Sequence, residues 1–404
     1  MRMFDVMEIL LAAAVGIYIF FRVRRLLRFY GVGGKRTVAF AISLLAGAGV
    51  GAACVDLWTI RAMVALHLAG LSLATDIIAL LVRGIQCIFS ARSEDAGKAQ
   101  KPGNGTGASG KNRQGKGHAF WRRLYGCGLI PVLALAVIFL YGNYNMNHIR
   151  QTCYQVETDK LVGSYRVVLM TDIHYGTIQD SDILKNKLAE INELHPDMVV
   201  LGGDIVEEGT SGDEMREVFR VLGSLESRFG IFYIYGNHDR QPYTVNRTYS
   251  DDELEQAIES AGIRILRDEY IEIGDGLVLA GREDAIIARY LTYRITPEEI
   301  LRGVSRDKYI IMVDHEPVEA EENAAQGVDL MLSGHTHAGQ IWPVGILNEL
   351  TGTLNYGEYQ RGACKVVVSS GVAGWGYSIR TQERCEYVVV DIMGRAGEQG
   401  IVYK

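Results

Sequence analysis

The sequence predicts an α/β domain of two packed, mixed β-sheets with helices on the outside, preceded by N-terminal transmembrane helices. Three observations predict it. Short apolar runs of strand length recur in the C-terminal part, and each ends abruptly in a carboxylate, amide or imidazole side chain. Helical patterns separate the first of these runs, as parallel βα units require. Finally, the apolar excess, 48% of 404 residues, is concentrated towards the N-terminus, which is a membrane pattern.

Val6 to Phe21 is nearly uninterrupted apolar sequence and is followed by Arg22, Arg24, Arg25 and Arg28. No small-residue cleavage site follows, so a membrane span is predicted rather than a removable signal. Thr37–Val55 and Ala62–Val82 are two further spans, and Leu129–Tyr141 with its flanks is a fourth. His67 and Asp76 sit inside the third span on opposite faces of a helix, so they form no local pair, and helix-to-helix hydrogen bonding is favoured over a functional intramembrane site. Residues 91–123 form a Gly, Ser, Lys and Asn tract without periodicity, predicted to be a disordered linker. Its Gly103–Gly107 stretch lacks the strand, the helix and the Gly-Lys-Ser/Thr ending of a phosphate loop. The expected organisation is a membrane region over 1–90, the linker over 91–123, the fourth span over 124–145 and a globular α/β domain over 146–404.

Lysine and arginine placement predicts orientation. Residues 22–36 hold six and residues 91–123 hold eight, whereas Arg61 is alone between the second and third spans. The positive-inside rule puts both basic loops in the cytoplasm, and four spans of a multi-pass cell-membrane protein then leave the C-terminal domain outside it. The net charge of −7, with no basic patch interleaved with aromatics, excludes a general nucleic-acid binder. Six cysteines without Cys-x-x-Cys spacing exclude a zinc ribbon and a thioredoxin motif, and Cys364 and Cys385 are read as two buried thiols.

In the domain itself, helices are predicted over Asp182–Leu194, Ser211–Arg228 and Asp251–Ala261, the last two opening with Ser/Asp caps. Later strands over Leu277–Ala280, Tyr309–Val313, Lys365–Ser369 and Glu386–Asp391 have hairpin-like spacing. The ends of the runs carry the chemistry. One run closes in Asp172-Ile-His174, another in Gly203-Asp204, a third in Gly236-Asn237-His238-Asp239 and a fourth in Asp314-His315-Glu316-Pro317. The run from Leu330 ends at Gly334 and is followed by His335-Thr336-His337. Residues at i and i+2 of an extended segment share a face, so His335 and His337 can serve two adjacent ions from one side. Alone, such a pair is more often a structural turn that carries histidines. Five of the nine histidines, however, fall in these strand-end loops, where binding sites of α/β sheets lie.

Together these blocks resemble the signature of the calcineurin-like metallophosphoesterases, in the family's order over roughly residues 164–392. The resemblance implies a four-layer sandwich and a binuclear metal centre. It assigns Asp172, His174 and His337 to one ion, Asn237, His315 and His335 to the other, and Asp204 to both. It places His238 against the leaving or phosphoryl oxygen, with Asp239 orienting its ring. Mixed N and O donors suit manganese, iron or zinc better than calcium. Two such dications, the two carboxylates and one bridging hydroxide carry a net charge of about +1, which draws in phosphate, and the hydroxide can attack in line. The Gly371–Arg380 stretch resembles an element of the membrane-associated bacterial branch, so Arg380 is a candidate contact for substrate phosphate or head group, with a surface salt bridge as the plainer reading. Asp314 and Glu316 are read as solvent or supporting contacts, and Gly281-Arg282-Glu283-Asp284 as pocket lining or ordinary loop.

The function so implied is a membrane-anchored hydrolase of phosphodiester, phosphomonoester or pyrophosphate bonds acting on a lipid-linked or envelope substrate. That branch includes hydrolases of UDP-2,3-diacylglucosamine type, whose substrate is cytoplasmic and so conflicts with the orientation predicted above. A catalytically silent membrane sensor or scaffold would be marked by lost ligands, and none is missing. A transporter would carry internal repeats, and the four spans have none.

Overall fold

The computed structural model describes residues 3–56, 59–98, 120, 123–160, 163–179, 181–274, 276–290 and 293–394. The chain divides into two compact units, Met1–Leu140 and Tyr141–Lys404.

The first unit holds helices α1 (Met3–Phe29), α2 (Arg36–Ala53) and α3 (Ile60–Lys98), and α4 (Leu129–Met146) begins in it. Four stretches are long and apolar enough to cross a membrane: Val6–Phe29, Arg36–Ala53, Ile60–Ile88 and Leu129–Met146. Glycine lets α1 and α2 approach closely. A Cβ at Gly16 would lie 2.8 Å from the Gly47 carbonyl, and one at Gly47 would lie 2.6 Å from the Gly16 carbonyl, a small-residue contact suited to helices in lipid. Asp76 of α3 accepts hydrogen bonds from the Tyr18 and Tyr125 hydroxyls at 3.1 and 2.8 Å and pairs with Arg22 and Arg25 of α1. The His67 Nδ1 lies 2.9 Å from the Met63 carbonyl of its own helix, and its ring stands edge-on to Phe139 of α4 with centroids 5.9 Å apart.

The expected linker is corrected at its start, because Ala91–Lys98 continue α3. The stretch from Ala91 to Ala96 contains no Gly or Pro, so nothing in it stops a helix from propagating past membrane length. The linker's remainder to residue 119, with Gly103–Gly107 and His118, lies outside the described residues.

The second unit contains two six-stranded sheets. The first has the order β1 (Arg150–Glu157), β12 (Glu386–Met393), β2 (Ser164–Met170), β3 (Met198–Leu201), β4 (Ile231–Tyr233) and β5 (Ile263–Ile265). Helices α5 (Ser181–Glu193), α6 (Gly212–Leu222) and α7 (Asp251–Ser260) connect its parallel strands. Ser211 with Glu214 and Ser250 with Glu253 form capping boxes that start α6 and α7. The second sheet has the order β10 (Gly357–Arg361), β11 (Cys364–Val368), β9 (Leu330–Ser333), β8 (Tyr309–Val313), β7 (Leu277–Gly281) and β6 (Glu269–Ile273).

The alternation of side chains makes the layers. Val167 and Leu169 of β2 point at the second sheet, into a core with Leu279, Ile311, Leu332 and Val367. Val168 and Met170 point the other way, onto Leu188, Phe219 and their neighbours on the helices. The second sheet does the same, with Val278, Ile310, Met312 and Met331 packed outward against Ile300, Leu301 and Ala320. The result is helices, sheet, sheet, helices.

The hairpin-like spacing of the late strands holds in part. β6 and β7 pair antiparallel, as do β10 and β11, and β12 pairs antiparallel with β2, whereas β7, β8, β9 and β11 run parallel to one another. Short helical segments at Ala285–Tyr290, Pro297–Ile300, Ala320–Ala325 and Val344–Leu350 supply the crossovers that parallel pairing needs. Both sheets therefore deliver parallel strand ends to a common edge, where the loops bearing the ligand-type residues meet. Cys364 and Cys385 are buried and unpaired.

Candidate metal centre

Each strand end places one block. Asp172 and His174 follow β2, Asp204 follows β3, Asn237 to Asp239 follow β4, His315 follows β8, and His335 and His337 follow β9. Asp172, His174, Asp204, His335 and His337 all have positive φ, between 47° and 68°. Left-handed backbone costs a non-glycine residue about 1–3 kcal/mol, so a cluster of such residues persists only where surrounding structure enforces it and commonly marks a functional site. Glycine is needed where the loops touch: a Cβ at Gly236 would collide with the Asp204 carboxylate, and one at Gly334 with Asp172.

The loops bring two groups together. Asp172, His174 and His337 have ligand atoms within 4.8 Å of one another, and so do Asp204, His315 and His335. In the first, His337 Nε2 lies 3.4 Å from both Asp172 Oδ1 and His174 Nε2. In the second, His335 Nδ1 lies 2.9 Å from Asn237 Oδ1, which adds the amide oxygen to that group. Asp204 stands between them, its Oδ2 3.9 Å from His174 Nε2 and 3.1 Å from His315 Nε2. Its Oδ1 accepts the His238 backbone N–H at 2.8 Å.

These residues fit a pair of divalent cations. His315 Nε2 is buried without a hydrogen bond although a carboxylate oxygen is close, so the ring is aimed at a partner of another kind. Its Nδ1 lies 2.8 Å from the Gly202 carbonyl, which leaves Nε2 as the coordinating atom. Burial, then the charge of His315, pushes His335 down to about 3, and burial and His174 push His337 well below the ordinary histidine range. Both rings are thus neutral, the form a metal requires. Burial disfavours the Asp204 charge, but His315, His238 and His174 outweigh it and hold the carboxyl well below its usual range. Asp172 is pushed up by burial, a bias that cations would reverse.

The predicted orienting role of Asp239 is corrected. Its carboxylate accepts backbone N–H groups of Asp204, Ile205, Val206 and Gly236 at 2.6–3.2 Å, so it shapes the Asp204 loop and does not touch the His238 ring. Glu208 does, with Oε2 2.7 Å from His238 Nδ1. Its neighbour Glu207 has Oε2 3.1 Å from His174 Nδ1. Sequence reasoning missed both glutamates, although carboxylates three and four residues past Asp204 in the same loop were a usable signal. Tyr243 and Trp375 flank His238 with ring centroids 5.0 and 5.5 Å away.

Arg380 is corrected as well. It is fully buried and donates to the backbone carbonyls of His337, Ser370 and Ala373 at 2.7–2.9 Å, so it is neither a substrate contact nor a surface salt bridge. Arg380→Met leaves the Ser370 carbonyl without a donor and takes one of two partners from the His337 and Ala373 carbonyls, and a loss of about 1–3 kcal/mol is expected in denaturant unfolding. A substrate contact would instead leave stability unchanged and raise KM.

Asp314 does not face solvent: it is buried between Arg282 and Arg294 at 3.2 and 2.6 Å. Glu316 lies 3.8 Å from His335 Nε2, and burial, reinforced by Asp284, pushes it up to about 7. Glu283 pairs with Arg240 at 2.9 Å. Asp284 caps the segment at Ile287, and burial pushes it up to about 6.

A model of the calcineurin-like phosphoesterase family matches residues 165–339. The chain is 30% identical over 224 residues to an uncharacterized metallophosphoesterase of Helicobacter pylori, covering 55% of this chain and 58% of that protein. It is 32% identical over 267 residues to an uncharacterized metallophosphoesterase of Aquifex aeolicus, covering 63% of this chain and 96% of that protein. A protein of Danio rerio named as a transmembrane protein with metallophosphoesterase domain is 29% identical over 273 residues, 64% of this chain and 61% of its own length. The chain therefore spans less than two thirds of the Helicobacter and Danio relatives.

Proposed function

This chain belongs to the calcineurin-like metallophosphoesterases, and on that premise we propose that it is a membrane-anchored, two-metal hydrolase of phosphoester or pyrophosphate bonds in a lipid-linked or envelope substrate. The observation that carries the reading is the pair of ligand groups sharing Asp204. Asp172, His174 and His337 would hold one divalent ion, Asn237, His315 and His335 the other, with Asp204 placed to serve both. When bound, the ions neutralise phosphate charge and supply an activated water as nucleophile, so no side chain has to attack. Manganese, iron or zinc suits the donor set.

The chain's own groups do the rest. Glu208 fixes the His238 ring through Nδ1, leaving Nε2 as the atom that donates a proton to the departing oxygen. Asp239 holds four backbone N–H groups and with them the loop that presents Asp204.

Four hydrophobic helices and the Danio relative's printed name support anchoring, and an anchored enzyme meets amphiphiles preferentially. The test is hydrolysis of bis-p-nitrophenyl phosphate by the full chain in detergent. Activity that is restored by manganese, iron or zinc after chelation is expected, whereas a folded protein that neither binds these ions nor turns over would overturn the reading.

The basic loops support an extracytoplasmic domain. Asp213 has an exposed side chain on α6, so Asp213→Cys, with the exposed Cys87 and Cys153 changed to Ser, is expected to react with an impermeant maleimide on intact cells. Reaction only after lysis would reverse the orientation and restore a nucleotide-linked substrate of UDP-2,3-diacylglucosamine type.

A further inference from the structure

The segment that follows the two histidines of the Leu330–Gln340 loop carries a surface that the phosphoesterase chemistry leaves unused. Trp342, Val344, Ile346, Leu347 and Leu350 are all exposed, Leu350 at 78%. Four of them lie on the seven-residue helix Val344–Leu350, where they occupy one arc. Its opposite side is seated. Gly345 is buried, its N–H donates to Gln382 Oε1 at 3.0 Å, and a Cβ there would collide with Gln382. Glu349 is the one charged residue between Trp342 and Leu350. A contiguous apolar face of this size, held outward by a fixed inner side, marks a contact surface.

The same loop tells what covers it. Residues 379–383 bind the helix from one side, with Thr381 Oγ1 accepting the Trp342 N–H at 3.0 Å and the Thr381 and Gln382 N–H groups donating to the Gln340 carbonyl at 2.9 Å. From the other side they bind the C-terminal end of α4. The Arg380 N–H donates to the Gly142 carbonyl at 3.0 Å, and Asn145 Nδ2 donates to the Arg380 and Glu383 carbonyls. Five residues thus join the exposed apolar helix to the end of the last hydrophobic span. Tyr141 and Tyr144, both exposed, lie on that end, as aromatic residues do where a span meets the head groups.

We infer that Trp342 and the outer face of Val344–Leu350 lie in the lipid interface beside the exit of α4, as a short monotopic contact. The inference rests on the membrane-anchored reading above and names a second attachment in addition to the spans. An apolar arc with a Trp at its start suits the boundary between head groups and acyl chains. Because Gln340 is three residues beyond His337, the contact would hold this rim of the metal centre at head-group depth. That favours amphiphilic substrates whose phosphate lies there.

The experiment uses the full chain in nanodiscs, with Cys87→Ser and Cys153→Ser and a nitrobenzoxadiazole label on Leu350→Cys. A matched protein carries the label on Glu259→Cys, an exposed position by β5 at the far edge of the first sheet. Lipids brominated in the acyl chains are expected to cut emission at position 350 by about twofold or more while position 259 stays bright. Equal emission at the two positions would overturn the contact. So would a label at 350 that is shielded from aqueous iodide yet not quenched by lipid, since a second copy or another protein would then cover the face. Bis-p-nitrophenyl phosphate hydrolysis is measured on the same discs. Quenching without hydrolysis leaves the contact standing and removes the function, and hydrolysis without differential quenching does the reverse.

Discussion

Asp204→Asn is expected to cut turnover on the order of 10³-fold or more and to lower the occupancy of both ions together. The substitution is nearly isosteric, and Asn keeps an oxygen able to accept the His238 backbone N–H that Asp204 Oδ1 now accepts, so the loop has no packing reason to move. What disappears is charge. Burial already works against a carboxylate at this position, and only His315, His238 and His174 keep it ionised. The other carboxylate oxygen, Oδ2, lies 3.1 Å from His315 Nε2 and 3.9 Å from His174 Nε2, one ring from each ligand group. A neutral amide at that point cannot neutralise either cation, and its NH2 would face one of them. Metal content measured on purified protein discriminates between shared and separate duties. Loss of one ion with retention of the other would show that Asp204 serves a single site, and retained turnover would remove it from the centre altogether.

Why were the ligand positions legible from the sequence and their supports not? Each ligand-type residue sits one to four positions beyond an uninterrupted apolar run, and a buried strand has to end where its chain meets water or a site. That link between burial and position needs no tertiary knowledge, so Asp172, Asp204, Asn237, His315 and His335 could all be singled out. Supporting contacts have no such rule. Asp239 follows His238 in sequence, yet its side chain turns inward to four backbone N–H groups, and Glu208, thirty residues earlier in the chain, takes the ring. The Gly371–Arg380 resemblance suggests a substrate group at Arg380, but the carbonyls of His337, Ser370 and Ala373 converge to give its guanidinium a buried seat. The parallel centre of the second sheet is hidden for a similar reason: its crossovers run through helices of four to seven residues, too short to leave a periodic pattern.

His238→Ala should leave both ions bound and lower turnover by about 10²- to 10⁴-fold, the usual worth of a positioned proton donor. The His238 ring belongs to neither ligand group, although it stands edge-on to His174 with centroids 5.5 Å apart. Its Nδ1 is held at 2.7 Å by Glu208, and Tyr243 and Trp375 stand beside it. Burial alone would lower its affinity for a proton, yet Asp204 and Glu208 push the ring up to about 9 from an ordinary value of 6.5. Two dications nearby act in the opposite direction, so in the loaded protein the ring titrates below that upper limit. A group that must give up a proton works only while it holds one. Turnover of the native protein should therefore fall as pH rises through the His238 titration, and the alanine variant should lack that alkaline limb. Glu208→Gln should shift that limb. Removing the carboxylate withdraws stabilisation from the charged ring, so the limb should move to lower pH without loss of metal. A variant at position 238 that sheds an ion would make the histidine a ligand, and a Glu208→Gln profile identical to the native one would detach the glutamate from the proton transfer.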